Sequence, residues 1–211
     1  MRIILLLCLL FFSLSFTSLP KQEKNEEWIS LFDGKTLNGW KVGANAETFK
    51  VQDGAIIVNG KVAHLFYDGA VGNHNFSNFE LKLDIMTKPG ANSGVYIHTL
   101  FQESSWPKKG YEVQVNNSQT DWRRTASLYA IQDLKEVFVK DDEWFTMHII
   151  VKGKNIQVKI NDQLVNDYTE PKNPTRPKGM EERLLSSGTI ALQGHDPNST
   201  VLYKNIRVKI L

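Results

Sequence analysis

Three short stretches of the chain place polar side chains where they could act together. In Gly110-Tyr-Glu-Val-Gln-Val115 the two valines share one face of a strand, so Glu112 and Gln114 lie side by side on the other, because successive strand side chains point to opposite faces. In Asn92-Ser-Gly-Val-Tyr-Ile-His98 the same rule gives Val95 and Ile97 to the core and turns Tyr96 and His98 outward. In Gly188-Thr-Ile-Ala-Leu-Gln193 it buries Ile190 and Leu192, leaving Gln193 outward and His195 just past the strand end. Lys82 and Asp84 are outward by the same parity. A carboxylate, two imidazoles, amides and tyrosines on outward positions suit a sugar-binding or acid–base site. A merely solvated face of an antiparallel sheet shows the same alternation. His64 and His148 read as packed or simply exposed side chains. Asn92-Ser93-Gly94 serves equally as turn chemistry, and Trp106, beside Pro107, either stacks on a sugar ring or plugs its own loop.

The elements that must hold these residues are strands. Leu81, Leu83 and Ile85 alternate with Glu80, Lys82 and Asp84, and Met147, Ile149 and Val151 precede Ile156, Val158 and Ile160 across a turn at Gly153-Lys154-Asn155. A period of two marks strands with one face in a core. Asp33-Gly34, Asp53-Gly54, Asn59-Gly60, Pro89-Gly90 and Asn161-Asp162 punctuate the chain at short intervals. This pattern predicts an all-β, two-sheet antiparallel jelly-roll sandwich. The last strand, Val201 to Ile210, is expected inside a sheet, with Leu202, Ile206, Val208 and Ile210 on one parity. The stretch from Glu181 to Leu185 is the best helical candidate. Tyr168 to Gly188, rich in proline and charge, is the longest irregular piece, and loops of that length in compact domains commonly frame a site.

Composition narrows the functional classes. The 211 residues carry 25 Lys and Arg against 23 Asp and Glu, a net charge of +2. No block of like charge occurs, which excludes a nucleic-acid binder relying on clustered cations to neutralise phosphates. Arg2, the apolar run Ile3 to Phe12, and Ser13, Ser15, Thr17 and Ser18 form the pattern of a secretory signal peptide. The run is too short to span a bilayer as a helix, which takes about 20 apolar residues; an uncleaved anchor reaching Leu19 is the alternative. The expected organisation is a signal peptide at 1–18, a linker at 19–27 and a single domain at 28–211, exported to a bacterial periplasm or secreted, with no membrane insertion of the mature domain. Cys8, the only cysteine, lies in the signal segment. The mature domain then has no disulfide, thiolate ligand or cysteine nucleophile.

Leu31-Phe-Asp-Gly-Lys-Thr-Leu-Asn-Gly-Trp40, Asn78-Phe-Glu-Leu-Lys-Leu83, Asn92-Ser-Gly-Val-Tyr-Ile97, Gly110-Tyr-Glu-Val-Gln114, Glu143-Trp144 and Tyr203-Lys-Asn-Ile-Arg-Val208 come in the order and rough spacing of the 3-keto-disaccharide hydrolase family, which the chain resembles over nearly its whole mature length. The resemblance implies a concanavalin A-like lectin and glucanase fold and action on glycosides oxidised to a ketone at C3. It points to Glu112, Gln114, Asn92, Tyr129 and Gln193 as site residues. His98 departs from the family pattern, where many members have an arginine.

Ordinary glycosidases work with two carboxylates, whereas the strand bearing Glu112 offers Gln114 two positions on. Hydrolysis of unmodified glycosides is the weaker reading for that reason. A 3-keto sugar has less need of the second carboxylate, since its ketone acidifies the hydrogen on C2 and the C1 substituent can leave by elimination, with water adding back. Such a route needs a base, an acid and a group that stabilises the enolate oxygen. Glu112 is the candidate base. His98 or His195 is the candidate acid, and either could instead join Glu112 in holding a divalent cation. Tyr96 and Trp106 complete the candidate substrate contacts. The alternative is a non-catalytic, lectin-like carbohydrate-binding jelly roll with the same face and no titrating Glu112.

Overall fold

A computed structural model describes residues 27–211 of the protein; the expected signal peptide, Cys8 and most of the expected linker lie outside the described residues. The chain runs through β1 (Ile29–Ser30), β2 (Trp40–Val42), β3 (Phe49–Gln52), β4 (Ala55–Val58), β5 (Ala63–Tyr67), β6 (Phe79–Thr87) and β7 (Ser93–Thr99). It continues with β8 (Tyr111–Val115), β9 (Phe145–Lys152), β10 (Asn155–Ile160), β11 (Gln163–Thr169), β12 (Thr189–Gly194) and β13 (Val201–Ile210). Two sheets result, both antiparallel. The larger has the order β11-β10-β9-β6-β13-β4-β3 with β1 added against β13, and the smaller has the order β2-β5-β12-β7-β8. This is the expected two-sheet sandwich. Among the described residues only two short 3-10 turns are helical, Ala46–Thr48 and Val71–His74, and no helix is long and apolar enough to cross a membrane.

The alternating residues meet between the sheets. Leu81, Leu83 and Ile85 of β6, Met147, Ile149 and Val151 of β9, and Ile156 and Val158 of β10 pack against Val95, Val113, Val115, Ile190 and Leu192 of the smaller sheet in one cluster. Truncating any one of the leucines, isoleucines or Met147 among these to alanine removes roughly 2–5 kcal/mol of stability. The hairpin turn at Gly153 lies where the sequence predicts it, joining β9 to β10.

Three expectations need correction. First, β13 is paired on both flanks, with β6 and β4, but its parity is not uniform. A register shift falls between Lys204 and Arg207, around Asn205 at φ 51°. An extra residue in a strand reverses which face later side chains take. Val201 and Tyr203 are therefore inward before the bulge and Ile206 and Val208 after it, while Ile210 is exposed. Second, Glu181 to Leu185 is a turn at Glu181 and Glu182 followed by irregular chain rather than a helix. Third, the smaller sheet has no openly solvated face. Behind its core face Phe66, Tyr96 and Ala191 form a second buried cluster, and the loop after β7 covers part of that face, with Phe101 meeting Phe66 edge-on at 5.3 Å.

Candidate active site

The uncovered part of that second face is a cavity of about 270 Å³. Its floor is made by neighbouring strands. Tyr96 of β7 and Glu112 of β8 are direct cross-strand partners, and Ala191 of β12 pairs with Tyr96 on the other side, so Gln193, two residues along β12, rises on the same face. Tyr96 Oη donates to Glu112 Oε2 at 2.7 Å. Gln193 Nε2 donates to Glu112 Oε1 at 2.8 Å and to Tyr96 Oη at 3.1 Å. Gly94 makes room for this carboxyl: a Cβ there would lie 2.8 Å from Glu112 Oε1. Beside it Gln114 Nε2 donates to Asn92 Oδ1 at 3.0 Å. The strip after β8 bridges Val113 through Leu128, and the Tyr129 N–H donates to the Glu112 carbonyl at 3.0 Å, which sets the Tyr129 ring in the cavity wall under the Arg123 guanidinium.

Two loops finish the cavity. From the β11–β12 connection come Met180 and Arg183. The Arg183 guanidinium lies over the Tyr96 ring at 5.2 Å and its Nη2 is 3.7 Å from Glu112 Oε2. From the β7–β8 connection comes Trp106, 41% exposed, whose ring lies 5.5 Å from His195 and 5.6 Å from His64. His195 Nδ1 is 2.7 Å from Asp196 Oδ2, which also accepts from Ser199 Oγ at 2.9 Å. That contact fixes the orientation of the ring.

Burial sets the electrostatics. Desolvation pushes the Glu112 carboxyl above the ordinary glutamate range, although Arg183, Tyr96, Gln193 and His195 all pull the other way. A buried carboxyl lifted in this way is a better base than an exposed one. Burial would also raise Asp196, but the bonds from His195, Ser199 and the Asn198 N–H outweigh it and hold that carboxyl below its usual range. Burial, with Arg183 and His195 adding repulsion, pushes His64 down to about 3, so His64 is neutral. Several buried polar atoms at the site have no partner: Gln114 Oε1, Gln193 Oε1, Arg183 Nη1 and His64 Nε2. Unmet buried groups cost stability and are rare, and those on Gln114, Gln193 and Arg183 belong to side chains lining the cavity.

The structure brings together Glu112, Gln114, Asn92, Tyr96, Tyr129, Gln193, Trp106 and His195 around one cavity. Glu112 and Gln114 sit deep in it, only 6% and 1% exposed, rather than on an open groove. His98 is a correction. The β7–β12 register slips between Thr189 and Ala191, and His98 takes φ 54°, so β7 carries a bulge that turns its last residues over. His98 then packs edge-on against the core residue Phe79 at 5.8 Å, on the side of the sheet away from Glu112. Its Nε2 donates to the Ser77 carbonyl at 2.9 Å while Nδ1 accepts from the Ser186 N–H at 3.2 Å, and burial lowers its pKa. It is neither the acid nor a cation ligand beside Glu112. Among the described residues no three His, Cys, Asp or Glu side chains cluster in a way that could hold a metal ion, and both Glu112 oxygens are already engaged. This donor set does not fit a resident cation.

Parity reasoning missed Arg183, Met180, Lys108 and Asp121, all on loops. For Arg183 and Met180 the available signal was the long irregular segment from Tyr168 to Gly188, which does frame the site.

A family model described as a 3-keto-alpha-glucoside-1,2-lyase-like domain matches residues 27–209. The chain is 30% identical to a 3-keto-disaccharide hydrolase of Bacteroides thetaiotaomicron, over 87% of this chain and 78% of that protein. Among solved structures, a candidate glycosyl hydrolase from Parabacteroides distasonis superposes with a TM-score of 0.75 at 24% identity, covering 92% of this chain and 98% of that one. A carbohydrate-binding module from Bacillus subtilis superposes with a TM-score of 0.55 at 15% identity, covering 81% and 95%. These two likenesses concern the fold. The chain belongs to the 3-keto-alpha-glucoside-1,2-lyase-like domain family.

Proposed function

We propose that this member of the family cleaves glycosides bearing a ketone at C3, by elimination across C1 and C2 followed by hydration. The observation that carries the reading is the floor of the cavity: one raised carboxyl, Glu112, faced by a cation, Arg183, with an amide, Gln114, where a conventional glycosidase strand would carry a second acid. The other cavity carboxylate, Asp121, is paired with Arg123 at 3.3 Å.

Glu112 removes the C2 proton, and the electron pair forms an enolate whose charge rests on the C3 oxygen. The free Nη1 of Arg183 is the donor available to that oxygen, and a preorganised cation in a dry site is worth several kcal/mol there. The enolate collapses to re-form the ketone. The C1–C2 double bond forms and the C1–oxygen bond breaks, with the proton for the leaving oxygen coming from His195, oriented by Asp196. Water then adds at C1, its proton passing to His195, and Glu112 returns a proton to C2, so the net change is hydrolysis and both side chains are restored. Trp106 and Tyr129 offer ring faces to the sugar.

The test is turnover of a 3-keto-disaccharide beside its unoxidised parent, run in heavy water. Cleavage confined to the keto substrate, with deuterium at C2 of the product, is the expected result. Cleavage with full retention of the C2 hydrogen, together with no primary isotope effect on a C2-deuterated substrate, overturns the elimination. Binding of either sugar without turnover replaces the enzyme by a lectin-like module. Export belongs to the same proposal and rests on Arg2 and the apolar run behind it; the N-terminal mass of the protein recovered outside the cytoplasm tests it.

A further inference from the structure

Arg183 reaches Glu112 from a connection with no regular structure, yet its return leg is tied down residue by residue. The Gly110 N–H donates to the Glu182 carbonyl at 3.0 Å. Arg176 Nε donates to the Arg183 carbonyl at 2.6 Å. The Leu185 N–H donates to Glu170 Oε2 at 2.8 Å, and the Ser186 N–H donates to His98 Nδ1. Arg176 and Glu170 are themselves buried: their side chains are 6% and 2% exposed and 3.3 Å apart. Tyr111 Oη joins them, accepting from Arg176 Nη2 at 2.6 Å and donating to Glu170 Oε2 at 2.5 Å. Lys154 Nζ closes the cluster on Glu170 Oε1 at 2.7 Å. Burial raises the Glu170 carboxyl, but the bonds from Lys154, Tyr111 and Leu185 win, and it stays ionised below its usual range.

A buried ion pair of this kind adds little net stability compared with apolar residues of the same volume, because desolvation offsets the attraction. Its use lies in the one arrangement it selects. None of these groups lines the cavity, and Arg176 holds the backbone of the residue that does. We propose that Arg176, fixed by Glu170 and Tyr111, is a positioning residue that holds Arg183 against Glu112 and so sets the charge at the cavity floor. The proposal rests on Glu112 and Arg183 forming the site, as argued above, but not on the substrate assigned to it.

The experiment is a titration of Glu112 by carboxyl-carbon NMR in the substrate-free full-length protein, using Arg176→Met, Arg183→Ala and the double variant. Withdrawing Arg183 removes the cation that favours the Glu112 carboxylate, so Arg176→Met shifts the Glu112 titration to higher pH. Arg183→Ala does the same, and Arg176→Met adds nothing in that background. Tyr96, His195, Tyr129 and Tyr203 also sense or are sensed by Glu112, and none of them is altered by the substitution. If activity on keto sugars is present, kcat/KM falls by about 10–100-fold, as a small misplacement of a reacting-site group does, and Arg176→Lys restores part of it. A folded Arg176→Met protein with an unshifted Glu112 titration overturns the proposal, whatever its thermal stability. Should Arg176→Met fail to fold, Tyr111→Phe keeps the ring in the core and removes only the linking hydroxyl. The same upward shift is expected there, and its absence overturns the proposal equally. Because no substrate is present in the titration, failure of the assigned reaction and failure of the positioning role are read separately.

Discussion

Tyr96 and Glu112 face each other across β7 and β8, and the tyrosine hydroxyl donates to the carboxylate at 2.7 Å. The proposed base accepts one bond at each oxygen and keeps a lone pair on each for the substrate proton, so its shape can be kept while its basicity is removed. Glu112→Gln keeps the shape. Turnover should fall by roughly 10²–10⁴-fold, the usual cost of losing a general base, while sugar affinity, read by calorimetry, changes much less. Parallel losses of both would show that Glu112 is a binding group only.

Gly94 tests the same carboxyl from below. With the Cβ position 3.0 Å from Glu112 Cγ as well as close to its oxygen, Gly94→Ala forces the side chain out of its bonds to Tyr96 and Gln193. We expect a folded protein with kcat reduced about 10–100-fold. Wild-type kcat in a folded Gly94→Ala protein would argue against a requirement for that geometry.

The proposed acid predicts a dependence on the leaving group. Asp196→Asn removes the carboxylate that orients the His195 ring, so cleavage of a 3-keto-disaccharide should drop by roughly 10²-fold. A 3-keto glucoside of 4-nitrophenol, whose oxygen departs without a proton, should be cleaved at close to the wild-type rate. Equal losses on both substrates would assign His195 another task.

His64 predicts an acid sensitivity of the fold. Its folded pKa is about 3 against an ordinary 6.5, so between these values the unfolded chain holds a proton that the folded one lacks. Stability therefore rises with pH across that window and is lost as pH falls through it. His64→Phe should flatten the decline of Tm between pH 6.5 and pH 4 by roughly one proton's worth of linkage. An unchanged slope in thermal melts would place His64 in a wetter setting than the 4% exposure it shows.

Most of the architecture could be read from alternation alone, because a strand half-buried in a core has little freedom in which residues it turns inward. Glu112, Gln114, Tyr96 and Gln193 came out of that rule and do line one cavity. The rule failed at His98 and along β13 for one shared reason, a single extra residue in a strand, which reverses every later side chain and leaves no compositional mark when the residue is not glycine. Arg183 was illegible for a different reason. It sits on an irregular loop, where placement depends on tertiary partners such as Arg176 and no periodicity records them.

The split origin of the cavity has an evolutionary consequence. The strands supply Tyr96, Glu112, Gln114 and Gln193, locked by ladder pairing, whereas the wall above them comes from a connection whose length is weakly constrained: doubling a flexible loop costs only about 0.6 kcal/mol. Insertions between Pro177 and Met180, which leave Arg176 and the fastened return leg from Glu182 in place, change what stands over the cavity without disturbing its floor. Descendants of such a chain can diverge in what the cavity admits while inheriting its floor, and that short stretch is where a library aimed at altered specificity belongs.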